Sequence, residues 1–118
     1  MKAAILGAGN IGLALAHGLV EAGAAEASEI TLTRRNASQL ESLAGQGFRT
    51  TTSNKNALDG AEVVFLCILP QQLNQVLEEI APVLDAKKQL VISVVTGAHT
   101  DDIREHLGNE LRVIRAMP

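Results

Sequence analysis

Between the first apolar run, Lys2 to Leu6, and an amphipathic segment that runs to Gly23 lies Gly7-Ala8-Gly9-Asn10-Ile11-Gly12. Glycines at this spacing leave few folds open, because each answers a separate steric demand. The first permits a tight turn from strand to helix. The second lets backbone approach a pyrophosphate, and the third lets the new helix pack closely on the strand it has just left. The amides at the helix start have no carbonyl a turn earlier to bond, so they face outward as anion donors. A G-x-G-x-x-G run alone is a weak signal; a strand before it and a helix after it are the context that makes it a dinucleotide fingerprint rather than a plain loop.

The rest of the chain repeats that alternation. Apolar runs predict strands over Lys2 to Leu6, Glu29 to Thr33, Phe48 to Thr51, Val63 to Ile68, Gln89 to Val94 and Leu111 to Ala116. The fourth and fifth are almost continuously apolar, as interior parallel strands covered on both faces are. Helical spacing predicts a helix from Asn10 to Ala22 with Ile11, Leu15, Leu19 and Ala22 on its buried face. A second helix is expected from Asn36, whose side chain caps it, to Gly45, and a third over Gln71 to Leu84, stopped or kinked by Pro82. A last one runs from Thr100, read as its N-cap, to Gly108, with Asp101 and Asp102 favouring the dipole. The expected fold class is α/β: a Rossmann-type, doubly wound parallel sheet of about six strands in three αβα layers. The expected strand order is 3-2-1-4-5-6, with the ligand at the carboxyl ends of strands one and four; the alternative, a flavodoxin-like order, also binds at a switch point but does not need this glycine spacing.

Composition removes other classes of function. A length of 118 residues predicts one domain, large enough to bury roughly two-thirds of its unfolded surface. A net charge of −3 leaves no electrostatic footprint for nucleic acid or an anionic membrane, so neither is expected as a partner. The apolar residues fall in runs too short to span a bilayer, and Met1 leads directly into the first strand; the expectation is a cytoplasmic chain. Cys67 is the single cysteine, and no Cys/His spacing fits a metal. Cys67 ends a buried strand with no cation or base beside it in sequence, which reads as packing rather than nucleophilic chemistry. His17 and His106 read as helix-surface residues, His99 as a neighbour of the site more often than a ligand of it, and Glu78-Glu79 as a solvated face. No catalytic residue and no metal ligand is assigned.

The turn after the second strand decides between dinucleotides. An NAD site places Asp or Glu there to accept from the ribose hydroxyls, whereas a 2′-phosphate needs cations. Here the residues are Thr33-Arg34-Arg35-Asn36. Two guanidiniums at a helix start suit a dianionic phosphate, so the expected cofactor is NADP, with NADPH preferred to NADH through Arg34, Arg35 and Asn36.

Four blocks then carry a more specific likeness. Leu6-Gly7-Ala8-Gly9-Asn10-Ile11-Gly12, the run from Ala61 to Gln71 ending Ile68-Leu69-Pro70-Gln71, Val91-Ile92-Ser93, and Arg112-Val113-Ile114-Arg115-Ala116-Met117-Pro118 closely resemble the N-terminal half of pyrroline-5-carboxylate reductases. These enzymes reduce Δ1-pyrroline-5-carboxylate to proline with NAD(P)H. The resemblance implies that Gly7 to Gly12 hold the pyrophosphate, with Leu6 also at the cofactor site, and that Arg34 and Asn36 lie by the adenosine ribose or its phosphate. It also implies that Asn54 lies near the adenine, and that Cys67, Ile68, Leu69, Pro70, Thr96 and Gly97 border the nicotinamide half. The sequence departs from the family in two places: Leu69 stands where the family has lysine, and Val95-Thr96 where it has Ala-Ala. The family continues into a helical second domain that forms the homo-oligomer and most of the small-molecule substrate pocket. The expectation is therefore a cofactor domain that binds but does not turn over, with an apolar patch at Met117-Pro118 where that second domain would meet it. The alternative is a stand-alone dinucleotide-sensing module that regulates a partner.

Overall fold

The computed structural model describes residues 1–97, 99–108 and 110–116. The strands are β1 (Ala3–Leu6), β2 (Ile30–Thr33), β3 (Arg49–Thr51), β4 (Val63–Leu66), β5 (Leu90–Ser93) and β6 (Arg112–Arg115). All neighbours are parallel and the order is β3-β2-β1-β4-β5-β6, the doubly wound arrangement expected. Strand alternation separates two cores. Ala4, Leu6, Val64, Leu66 and Val91 face one side, against α4 (Leu73–Ile80) and α5 (Thr100–Leu107). Ala3, Ile5, Ile30, Leu32 and Phe65 face the other, against α1 (Asn10–Glu21) and α2 (Leu40–Gly45). A short α3 (Asn54–Ala57) is capped by Ser53, whose hydroxyl accepts from the Asn56 amide at 3.2 Å.

The helix ends follow local chemistry. Gly23, at φ +74, closes α1 in a Schellman motif: the Gly23 amide donates to Val20 O at 3.1 Å and the Ala24 amide to Leu19 O at 3.0 Å. Asn36 caps the segment leading into α2, accepting from the Ser38 amide at 3.0 Å through a single 3₁₀ turn. Leu73, Val76, Leu77 and Ile80 of α4 are all buried, each contributing about 1.5 to 3 kcal/mol of hydrophobic stabilisation, and the helix ends before Pro82.

Several expectations are corrected. The face expected for α1 holds only in part: Leu15 and Leu19 pack against the core, whereas Ile11 and Ala22 do not. Ile11 and Ala22 are exposed, Gly12 and Ala16 are buried, and Leu13, Leu15 and Leu19 flank them. A helix lying directly on a sheet needs its smallest residues at the line of contact, whatever the hydrophobic pattern favours. Thr100 is the first residue of α5 rather than its cap; His99 is the cap, and its amide donates to Asp102 Oδ2 at 3.2 Å. β4 stops at Leu66, two residues early: the Cys67 amide still donates to Leu6 O at 2.9 Å, but β1 then turns away at Gly7 and the pairing ends. β3, β5 and β6 are likewise shorter by a residue or two at their ends. The expected patch at Met117-Pro118 lies outside the described residues.

Candidate functional site

The carboxyl ends of β1, β2, β4 and β5 open onto a cleft of about 660 Å³ at the point where the strand order reverses. Its floor is the turn after β1. Gly7 sits at φ +95, and a Cβ there would lie 2.6 Å from the Cys67 carbonyl oxygen. A Cβ on Gly12 would lie 2.4 Å from the Gly7 carbonyl oxygen. Gly9, the cap of α1, has an ordinary extended conformation, and a Cβ there would meet no protein atom within 4 Å. The packing of the fold thus explains the first and third glycines, and only the open cavity gives a reason for the second. α1 carries no acidic residue in its first turn, so the positive end of its dipole is uncompensated.

The second wall is the loop after β2. Arg34 is half-buried, and its Nη1 donates to Ala8 O at 2.8 Å, which ties the guanidinium to the glycine turn. Arg35 is exposed and donates through Nη2 to Gln75 Oε1 on α4 at 3.2 Å. Among the described residues neither arginine has a carboxylate partner; the single ion pair there joins the N-terminus to Glu29. None of the described residues that line the cleft is Asp or Glu. Two guanidiniums and a helix N-terminus, with no acid among the described residues that line the cleft, make a site for an anion.

Most residues expected at the site line this one cavity: Gly7, Ala8, Gly9, Asn10, Ile11, Arg34, Arg35, Asn36, Asn54, Cys67, Ile68, Leu69, Pro70 and Thr96. Leu6, Gly12 and Gly97 do not. Leu6 is fully buried in the core, Gly12 is packed beneath the turn, and Gly97 lines a separate shallow groove beside Thr96 and His106. His99 lines neither. Ile11 and Leu69 are exposed apolar side chains on the cavity wall, at 47% and 58% of their free surface. Burial pushes the Cys67 thiol up to about 11, so at neutral pH it is a packed thiol and not a nucleophile. Among the described residues no cluster of His, Cys, Asp or Glu could hold a metal ion, and no helix is long and apolar enough to cross a membrane.

Sequence reasoning missed a second tier of residues. Thr33, Gln39, Gln72, Val76 and Val94 also line the cleft. Thr33 could have been found, since it is the last residue of a strand beside the switch point. Glu79, read as part of a solvated face, is half-buried and accepts from Asn54 Nδ2 at 3.1 Å. It could not have been found, because nothing in the sequence brings α4 over α3.

The sequence matches the family model described as NADP oxidoreductase coenzyme F420-dependent over residues 2–97. Pyrroline-5-carboxylate reductase 1 of Dictyostelium discoideum is 41% identical over 115 residues, covering 98% of this chain and 21% of that protein. The structure of a pyrroline-5-carboxylate reductase from Coxiella burnetii aligns with a TM-score of 0.92 at 33% identity, over 99% of this chain and 43% of the other. The crystal structure of Plasmodium falciparum pyrroline carboxylate reductase with NADP bound aligns with a TM-score of 0.84 at 22% identity, over 100% of this chain and 42% of the other, which speaks to the fold alone. The chain therefore spans between 21% and 43% of the length of these proteins.

Proposed function

The chain belongs to the coenzyme F420-dependent NADP oxidoreductase family, and from that premise we propose that residues 1–118 are the NADP(H)-binding domain of a pyrroline-5-carboxylate reductase. The observation that carries the reading is the pair of guanidiniums, Arg34 and Arg35, with no carboxylate partner among the described residues, on a cleft that none of the described acids lines. Such a site accepts the 2′-phosphate that only the phosphorylated dinucleotide has. The names of the relatives support the same assignment.

The residues present fit the cofactor. Gly9 leaves room for a pyrophosphate against the Asn10 and Ile11 amides, Arg34, Arg35 and Asn36 take the 2′-phosphate, and Asn54 meets the adenosine half. Ile11, Leu69 and Pro70 offer apolar surface to the nicotinamide half, alongside Thr96. When bound, NADPH supplies the hydride for reduction of the C=N bond of Δ1-pyrroline-5-carboxylate to give proline. This chain's own part is to hold and orient. Hydride transfer needs the imine fixed in near-attack geometry, and one open cleft at the carboxyl ends of the strands does not enclose a small substrate. In the whole protein the extra length seen in the relatives encloses the substrate and forms the homo-oligomer, and the enzyme works in the cytoplasm.

Calorimetric titration of the 118-residue chain with NADPH and NADH at low salt tests the reading. NADPH should bind tighter by on the order of tenfold to a hundredfold, the worth of a charge-assisted hydrogen bond. NADPH oxidation with Δ1-pyrroline-5-carboxylate should show no turnover by the chain alone. Equal affinity for the two cofactors removes the phosphate role of the arginines, and turnover that scales with the amount of pure chain removes the need for a second domain.

A further inference from the structure

A chain of hydrogen bonds runs from α4 to the glycine turn, crossing three elements distant in sequence. Asn54 Nδ2 donates to Glu79 Oε2 at 3.1 Å, Thr33 Oγ1 donates to Asn54 Oδ1 at 2.8 Å, and the Gly7 amide donates to Thr33 Oγ1 at 3.1 Å. Its sense is set at one end. A carboxylate only accepts, so Glu79 holds the Asn54 amide with its nitrogen toward α4 and its oxygen toward Thr33. That oxygen takes the hydroxyl's one proton, which leaves a Thr33 lone pair for the Gly7 N–H. With the amide reversed, two oxygens would face each other at Glu79 and the Thr33 proton would lose its acceptor. Thr33 is buried at 2% exposure, so water offers it little replacement.

We infer that Glu79 is a positioning residue for the cofactor cleft, acting through Asn54 and Thr33 to fix both the amide that Asn54 presents to the cavity and the attitude of the Gly7 turn. The inference rests on the dinucleotide reading of that cleft. It makes an unusual demand. Glu79 is a negative charge near an anion site, so if it acted by charge alone, removing it would tighten NADPH binding. As a positioning residue its loss weakens binding.

The sign of the effect is therefore the test. Glu79→Leu and Glu79→Lys chains, titrated with NADPH, should bind roughly threefold to tenfold more weakly, in the range of one lost hydrogen bond. The lysine is the sharper case, since it adds a positive charge near the anion site yet cannot accept from Asn54. Glu79→Gln, which keeps an acceptor without the charge, should restore affinity to within about twofold. The second readout needs no cofactor: in ¹⁵N–¹H spectra the Gly7 amide and the Asn54 side-chain amide should move in Glu79→Leu and return in Glu79→Gln. Combined with Asn54→Ala, Glu79→Leu should add little further loss, because the two act as a unit. Equal or tighter NADPH binding by a folded Glu79→Leu chain overturns the inference, as does an unmoved Gly7 amide. Failure of the dinucleotide reading is distinct: the unmutated chain would take no NADPH at all.

Discussion

The glycine turn after β1 and the arginine loop after β2 meet at one cavity, joined by the Arg34 to Ala8 hydrogen bond, but they are constrained in different ways. Gly7 and Gly12 are hemmed in by backbone oxygens, so the protein itself forbids a side chain there. A Cβ on Gly9 would meet only open space, and exposed Arg35 and Asn36 make few internal bonds, Arg35 to Gln75 on α4 and Asn36 as the cap toward α2. A residue fixed by packing should fail as a folding defect when changed. A residue that only a ligand explains should fail as a binding defect in a sound fold.

The largest expected effect tests the packing side. Gly12→Val places a branched side chain against the Gly7 carbonyl, and Gly7→Ala combines a positive φ with a Cβ against the Cys67 carbonyl. Each should cost about 3 kcal/mol or more of folding stability, read from urea denaturation. A fully stable Gly12→Val chain would mean that α1 can lift from the sheet and that the contact is loose.

Gly9→Val reverses the pattern. Its stability should stay within about 1 kcal/mol of the parent, because a Cβ there meets no protein atom within 4 Å. NADPH affinity should still fall by on the order of a hundredfold, since backbone and pyrophosphate can no longer meet. Circular dichroism beside calorimetry separates the two; retained affinity in a folded chain would take the second glycine out of the site.

Arg34→Asp probes the other wall. It removes a donor and adds repulsion toward a 2′-phosphate, so NADPH should lose at least about tenfold in affinity while NADH changes far less. The contrast should shrink as salt is added, because the loop is partly exposed. A change that weakens both cofactors equally would trace to the lost bond with Ala8 and a disturbed turn.

The smallest effect concerns Cys67, which borders the same cavity. With its thiol raised to about 11, alkylation by iodoacetamide should be slow at pH 8 and rise through pH 9 and 10 toward that value, because only the thiolate reacts. An ordinary exposed thiol would already level off near pH 9. A plateau there would show that water reaches Cys67 freely from the cleft.

Much of this arrangement is legible in the order of residues along the chain. The periodic apolar runs place all six strands within a residue or two, and the glycine spacing with Arg34-Arg35 marks both walls of the cavity. Local signals carry this because strand period, turn chemistry and caps are set by neighbours in the chain. Ile11 shows where that stops. Its hydrophobicity argues for the core, but its position at the start of α1 puts it on the cavity wall, and the tight approach of helix to sheet reserves the buried line for Gly12 and Ala16.

The alternation of strand and helix, the parallel doubly wound sheet and a turn built for backbone rather than side chains all follow from steric rules acting over a few residues, and so they are written in the chain itself. Long-range partners are not. That Glu79 reaches Asn54, that Asn54 reaches Thr33, and that Arg34 leans on Ala8 instead of a carboxylate emerge only in the folded molecule. Those partners lie 25, 21 and 26 positions apart, and their pairing depends on how the helices and loops seat above the carboxyl ends of β1, β2 and β4. That seating is decided by tertiary packing, which no local run of residues specifies.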